Sequence, residues 1–283
     1  MKLIERLADL RTERPGWGKV GLVPTMGYLH EGHLSLISAA RAASQTVVMS
    51  LFVNPAQFGP NEDFATYPRD TQRDLRLAEQ AGVDVVFMPP TEEVYPAGFD
   101  TWVEVGGLTR RWEAEQRPGH FRGVATVVLK LFNMVQPNRA YFGEKDYQQL
   151  LVVTKMVGDL NLPIEIVPCP TIREASGLAL SSRNAYLSAE DRARAAVLYR
   201  AMRLGQQLAA AGERDSYRLV GQMAARVRTE PGAQLDYLAI VDRTTLEPLD
   251  ELRGPARIVA AMRYGGVHLI DNEPIEPGEA GLT

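Results

Sequence analysis

The sequence predicts an α/β protein: a Rossmann-like N-terminal domain on a parallel sheet, followed by a smaller α+β C-terminal domain. Short continuous apolar runs at residues 20–23, 46–53 and 83–88 read as strands buried on both faces. Stretches of helical period separate them, which is the βαβ alternation of a parallel sheet. Beyond about residue 170 two helical patterns come first and three strand patterns follow, the order of an α+β unit. The domains are therefore expected at residues 1–171 and 172–283.

Leu3, Ile4, Leu7 and Leu10 recur at helical spacing, so residues 3–13 read as a first amphipathic helix. Residues 20–36, VGLVPTMGYLHEGHLSL, read as strand, loop and helix. Pro24, Gly27 and Gly32 keep the backbone open, and Leu34 and Ile37 begin the helical period. His30 and His33 fall one turn apart at the helix start. Unpaired N–H groups and the positive end of the dipole favour phosphate there. Two imidazoles add donors that can follow charge as it builds on a phosphoryl group. A strand–loop–helix is weak evidence alone, because every α/β domain has several, and a histidine at a helix start is often only a cap. A zinc reading of HEGH is disfavoured by spacing: the helical metalloprotease pattern needs His at i and i+4, and here it is i and i+3.

The strand at 46–53 ends in Asn54-Pro55-Ala56-Gln57-Phe58-Gly59-Pro60, at the sheet edge where ligands collect. Gln57 reads equally as an ordinary loop residue or a ligand contact. Residues 70–81 read as a helix closed by Gly82, and 83–88 as a strand stopped by Pro89 and Pro90. A short alternating strand is expected at 101–105, a long apolar helix at 122–136, a strand at 140–142 and a helix at 147–160. Between the last two stands Lys145, at a second strand-to-helix turn, which favours a phosphate partner over a plain surface lysine. After a strand at 164–167 come Ser181, Ser182 and Arg183, ahead of a helix that Ser188 should cap. Two hydroxyls and a guanidinium make either an exposed turn or a wrap for a triphosphate. Helices at 189–211 and 215–229, strands at 235–241, 257–262 and 267–269, and a loose tail over the last dozen residues complete the reading.

Composition excludes several classes. A net charge of −4 argues against a surface made for nucleic acid. The single cysteine, Cys169, leaves no intrachain disulfide and no cysteine-rich metal site. No run reaches the ~18 apolar residues of a membrane span, and the charged N-terminal stretch lacks the apolar core of a signal peptide. A cytoplasmic location is expected.

Several separated motifs then add up. Pro24-Thr25-Met26-Gly27 with His30-Glu31-Gly32-His33 resembles the HIGH-type signature of the nucleotidylyltransferase superfamily, and Ser181-Ser182-Arg183-Asn184 resembles its KMSKS counterpart. Phe52-Val53-Asn54-Pro55-Ala56-Gln57-Phe58-Gly59, Tyr67-Pro68-Arg69, Gly119-His120-Phe121 and the run from Phe142 to Gln149, FGEKDYQQ, narrow the likeness. Together they resemble the pantothenate synthetase (pantoate–β-alanine ligase) family over nearly the whole chain.

That resemblance implies a reaction in which pantoate and ATP give a pantoyl adenylate and pyrophosphate, and β-alanine then releases AMP and pantothenate. It implies His33, His30 and Lys145 as the catalytic donors. It places Met26, Gly27, Tyr28, Leu29, His30, Glu31, Gly32 and His33 at ATP, with Gly143, Glu144, Lys145, Asp146, Ile172, Leu180, Ser181, Ser182 and Arg183. Gln57 and Gln149 would hold pantoate, since an amide both donates and accepts. Mg²⁺ is expected with ATP, bound mostly through phosphates and water, with Asp74 the candidate carboxylate nearby. Some relatives carry Met where this chain has Leu180, which touches only packing around adenine. The family forms homodimers through the N-terminal domain. Two other readings stay open: a nucleotidyltransferase acting on a phosphorylated acceptor, and a non-catalytic nucleotide- or RNA-binding module.

Overall fold

A computed structural model describes residues 1–60 and 62–278. It divides into two compact units, Met1–Thr171 and Ile172–Thr283.

In the first unit β1 (Lys2–Ile4) precedes α1 (Leu7–Glu13). The helix expected from residue 3 therefore starts later. Lys2, Leu3 and Ile4 pair in parallel with Val85, Val86 and Phe87, and this long-range ladder overrides a local helical spacing. The unit continues through β2 (Val20–Thr25), α2 (Glu31–Ala43), β3 (Thr46–Leu51), α3 (Thr71–Gln80) and β4 (Val85–Phe87). The four-residue helices α4 (Thr91–Val94) and α5 (Glu113–Gln116) follow, then α6 (His120–Val135), β5 (Arg139–Gly143), α7 (Tyr147–Asp159) and β6 (Glu165–Cys169). Residues 101–105 form no strand; the Val103 N–H finds a side-chain acceptor instead, Thr126 Oγ1 on α6 at 3.0 Å.

The sheet order is β1-β4-β3-β2-β5-β6, and every neighbouring pair is parallel. Leu22, Val23, Val47, Val48 and Met49 are wholly buried, as strands covered on both faces must be. The chain winds outward from β2 through β3 to β4, then returns to β5 on the other side of β2. The winding reverses between β2 and β5. A crevice at the carboxyl ends of the strands opens at such a switch point. Those two ends lead directly into residues 26–33 and into Lys145.

A second approach shapes the same edge. α6 passes so near the loop after β3 that a Cβ on Gly123 would lie 2.1 Å from the Ala56 carbonyl oxygen and 2.8 Å from Gln57 Cα. Only glycine permits this contact, which seats the 3₁₀ turn Pro55–Gln57 against the helix.

The second unit holds α8 (Ala189–Ala195), α9 (Val197–Ala210), α10 (Ser216–Arg228) and an antiparallel sheet β7 (Gln234–Val241), β8 (Ala256–Tyr264) and β9 (Val267–Ile275). The single helix expected at 189–211 is broken at Ala196, fully buried with ψ −3°; no glycine or proline marks the break. Ser188 does cap α8, accepting from the Asp191 N–H. The tail expected over the last dozen residues is strand as far as Ile275, because β8 pairs with it through Ala256. Residues 279–283 of that expected tail lie outside the described residues. No described helix is long and apolar enough to cross a membrane.

Candidate active site

The loop between β2 and α2 needs the left-handed region twice in succession, at Gly27 (φ 85°) and Tyr28 (φ 52°). Glycine does this freely, whereas a bulky side chain there is uncommon and must be held. Asp74 on α3 holds it. Its side chain is almost wholly buried, with Oδ2 accepting from the Tyr28 N–H at 2.7 Å and Oδ1 from the Leu29 N–H at 2.8 Å. Beside it, Arg73 donates to the Leu29 carbonyl at 2.9 Å and lies 5.5 Å from the centroid of the Tyr28 ring. On the other side Thr25 Oγ1 donates to the Ser50 carbonyl at 2.7 Å and accepts from the Gly27 N–H at 3.3 Å.

His30 caps α2 and His33 sits in its first turn. His30 Nδ1 accepts from the Gly32 N–H at 3.2 Å, and His33 Nδ1 accepts from the His30 N–H at 3.3 Å. Their ring centroids are 4.1 Å apart. With both Nδ1 atoms accepting, the neutral rings carry their protons on Nε2. Burial lowers the His33 pKa to about 3, helped by the charges His30 and Lys145 would bring. Burial and then Lys145 lower His30 to about 4. Both rings are therefore neutral Nε2–H donors at physiological pH.

Several N–H groups in the loop and at the start of α2 are engaged within the protein: those of Tyr28, Leu29, His30 and Gly32 all have partners there. His30 and His33 add side-chain donors at this helix start.

Lys145 stands in the 3₁₀ turn Glu144–Asp146 that follows β5 and Gly143, with Nζ 3.1 Å from Asp146 Oδ1. Its charge acts on both histidine rings, so the ends of β2 and β5 bring His30, His33, Lys145 and Asp146 together. Glu31 is exposed on the first turn of α2. Gln57 is nearly buried and reaches the same loop, its Nε2 lying 3.1 Å from Met26 Sδ. Gln149 is partly exposed on α7, four residues after Lys145. Its neighbour Gln148 is buried and pins the segment before α5, donating to the Leu108 and Arg111 carbonyls at 2.7 and 3.0 Å.

Sequence reasoning missed Asn54. Its Nδ2 donates to Gln57 Oε1 at 3.0 Å. The Asn-Pro pair at that point signals only a turn, and the turn is real: Asn54 caps Pro55–Gln57.

In the second unit the Leu180 N–H donates to the Ile172 carbonyl at 2.9 Å. Ser181 caps the 3₁₀ turn Ser182–Tyr186 by accepting from the Arg183 N–H. Asn184 ties this turn back, donating to Glu174 Oε1 at 3.2 Å and to the Ala179 carbonyl at 3.0 Å. Ile172, Leu180, Ser181, Ser182 and Arg183 thus belong to one hydrogen-bonded piece of that unit.

Among the described residues no group of three or more His, Cys, Asp or Glu could hold a metal ion. A cation delivered with a phosphate ligand needs fewer protein donors. The Asp146 side chain is 43% exposed and paired with Lys145, and both Asp74 oxygens are engaged with the loop.

The histidines also give stability a pH dependence. Burial and nearby charge lower His33 to about 3, and His30 and His120 to about 4, from 6.5. The unfolded chain then binds more protons than the folded one between those values and 6.5, so stability rises with pH across that window. It should be full above pH 6.5 and decline as pH falls toward 4. A melting temperature that is level above pH 6.5 and drops steadily from there to pH 5 is the expected result. One that stays level or rises below pH 6.5 would contradict it.

A family model described as Pantoate-beta-alanine ligase matches residues 2–274. A pantothenate synthetase of Moorella thermoacetica is 55% identical over 280 residues, covering 98% of this chain and 99% of the relative. The crystal structure of pantothenate synthetase from Thermus thermophilus superposes with a TM-score of 0.94 at 52% identity, covering 98% of this chain and 100% of that one. Pantoate-beta-alanine ligase from Francisella tularensis, complexed with beta-gamma ATP and beta-alanine, superposes with a TM-score of 0.79 at 36% identity, over 96% of this chain and 97% of that one.

Proposed function

The chain belongs to the pantoate–β-alanine ligase family, and we propose how its residues divide that reaction among them. The reaction is the ATP-dependent condensation of pantoate with β-alanine. A pantoate carboxylate oxygen bonds to the α-phosphorus of ATP as the bond to the β-phosphate oxygen breaks, giving pantoyl adenylate and pyrophosphate. The β-alanine ammonium first loses a proton to solvent; its nitrogen then bonds to the acyl carbon, the acyl–phosphate oxygen bond breaks, AMP leaves, and a second proton passes from the nitrogen to solvent as the amide forms.

One observation carries the assignment: two neutral imidazoles with Nε2–H available, next to Lys145, where β2 and β5 end. The first step builds negative charge on phosphoryl oxygens and on the leaving pyrophosphate. Fixed donors and a cation answer that charge without any covalent role for the protein. His33 and His30 donate from Nε2, and Lys145 supplies the positive charge. Met26 and Gly27, with residues 28–33 and 143–146, line the ATP site. Tyr28 and Leu29 serve it by shaping the loop, since their N–H groups are taken by Asp74. Ile172, Leu180, Ser181, Ser182 and Arg183 are assigned to ATP on their chemistry alone, with the second unit as the lid domain.

Gln57 and Gln149 are assigned to pantoate. Mg²⁺ would accompany ATP and spread the triphosphate charge, held mostly by phosphates and water, with Asp74 as the candidate carboxylate nearby. A cytoplasmic homodimer is the proposed form. The competing transferase reading calls for basic residues around a phosphorylated acceptor, whereas Gln57 and Gln149 are neutral.

ATP–pyrophosphate exchange separates the two. Exchange that needs pantoate and no β-alanine is expected. Exchange only with a phosphorylated acceptor, or none with pantoate, would overturn the assignment.

A further inference from the structure

Gln57 is held at both ends of the residue. Its carbonyl accepts from His120 Nδ1 at 2.9 Å and from Arg117 Nη2 at 3.2 Å. The Arg117 guanidinium is in turn paired with Glu62. These contacts fix the backbone of Gln57 but leave its side chain free to present either the amide oxygen or the amide nitrogen.

A second set of contacts removes that freedom. Asn54 is 1% exposed, and its amide is met on both sides by groups whose polarity cannot change. Oδ1 accepts from the Ala56 N–H at 3.2 Å, and Nδ2 donates to the Gly123 carbonyl at 3.2 Å. Turning the amide over would set donor against donor and acceptor against acceptor. Tyr95, brought from the segment after α4, adds a third contact of the same sense. Its hydroxyl donates to Asn54 Oδ1 at 2.7 Å, the shortest of the three. Asn54 Nδ2 therefore faces Gln57 and donates to its Oε1 at 3.0 Å. Gln57 in turn must keep Oε1 toward Asn54 and present Nε2, which meets only the weak acceptor Met26 Sδ among the described residues.

We propose that Tyr95 is a positioning residue for the pantoate site: together with the Ala56 N–H and the Gly123 carbonyl it holds the Asn54 amide in the orientation that makes Gln57 a hydrogen-bond donor, so the pantoate atom that Gln57 meets is an acceptor oxygen. This rests on the assignment of Gln57 to pantoate. Tyr95 acts through Asn54. Its contribution is to keep the Asn54 oxygen engaged, so that the Asn54 nitrogen stays aimed at Gln57 Oε1.

Tyr95→Phe removes one oxygen and keeps the ring that packs edge-on against Phe99 at 5.1 Å. The test is ATP–pyrophosphate exchange on the intact chain, with pantoate and ATP varied in turn, for wild type, Tyr95→Phe, Gln57→Ala and the double variant. Tyr95→Phe is expected to raise the pantoate KM by about 3- to 10-fold, the worth of one net hydrogen bond, with the ATP KM unchanged. In the Gln57→Ala background the same substitution is expected to have no further effect, because the amide it orients is gone. An unchanged pantoate KM would overturn the proposal. So would equal rises for pantoate and ATP, or effects that simply multiply in the double variant. A general loss of structure gives equal rises and is thereby told apart from positioning. If wild type shows no pantoate-dependent exchange, it is the Gln57 assignment that fails. Wild-type exchange with multiplying effects leaves that assignment standing and removes only Tyr95.

Discussion

His33→Ala is expected to slow adenylate formation by ~10²- to 10³-fold, the usual cost of one lost donor to a developing oxyanion. The ring does two things at once. Its Nδ1 accepts the His30 N–H and so completes the start of α2. Its Nε2–H is the donor left for the phosphoryl group. Loss of the first alone resembles loss of a helix cap, about 1 kcal/mol of stability; loss of the second affects only the rate. His33→Asn separates them, because an amide oxygen can still accept from the His30 N–H. The account expects His33→Asn to melt near wild type yet stay slow in single-turnover adenylation. If either variant turned over at a near-normal rate, His33 would have no part in the chemistry.

Lys145→Ala is expected to lose ~10²- to 10³-fold in the same step, since the charge that stabilises the leaving pyrophosphate is removed. It carries a second signature that does not depend on turnover. The lysine charge helps hold the His30 and His33 pKa values down. Without it both should rise toward the ordinary value of 6.5. Imidazole NMR titration of the folded variant reads this directly. A slow variant whose histidine titrations do not move would place Lys145 away from the pair.

Much of this was legible in the chain itself, for identifiable reasons. Val47, Val48 and Met49 must be covered on both faces, and an unbroken apolar run records that demand locally. His30 and His33 are three residues apart, so their place on one helix start follows from local geometry. What escaped was set by partners distant in sequence. Leu3 and Ile4 became strand because Val86 and Phe87 lie beside them. Asp74 reads as one more helix carboxylate until Tyr28 and Leu29 are seen against it, 46 and 45 residues away. Asn54 reads as a turn residue until Tyr95 arrives across 41 residues. The open helix N-terminus was expected because the rule for unpaired N–H groups is general. Here His33 and His30 engage the His30 and Gly32 N–H groups, and Asp74 engages those of Tyr28 and Leu29 in the loop before the helix, pairings that spacing alone does not reveal.

The most direct measurement is AMP release from Mg·ATP by the purified protein, with pantoate and β-alanine added singly and then together. The account expects AMP and pantothenate to appear one for one, and to accumulate beyond one equivalent of enzyme only when both are present. AMP released at a steady rate without β-alanine, or no AMP with both, would contradict it.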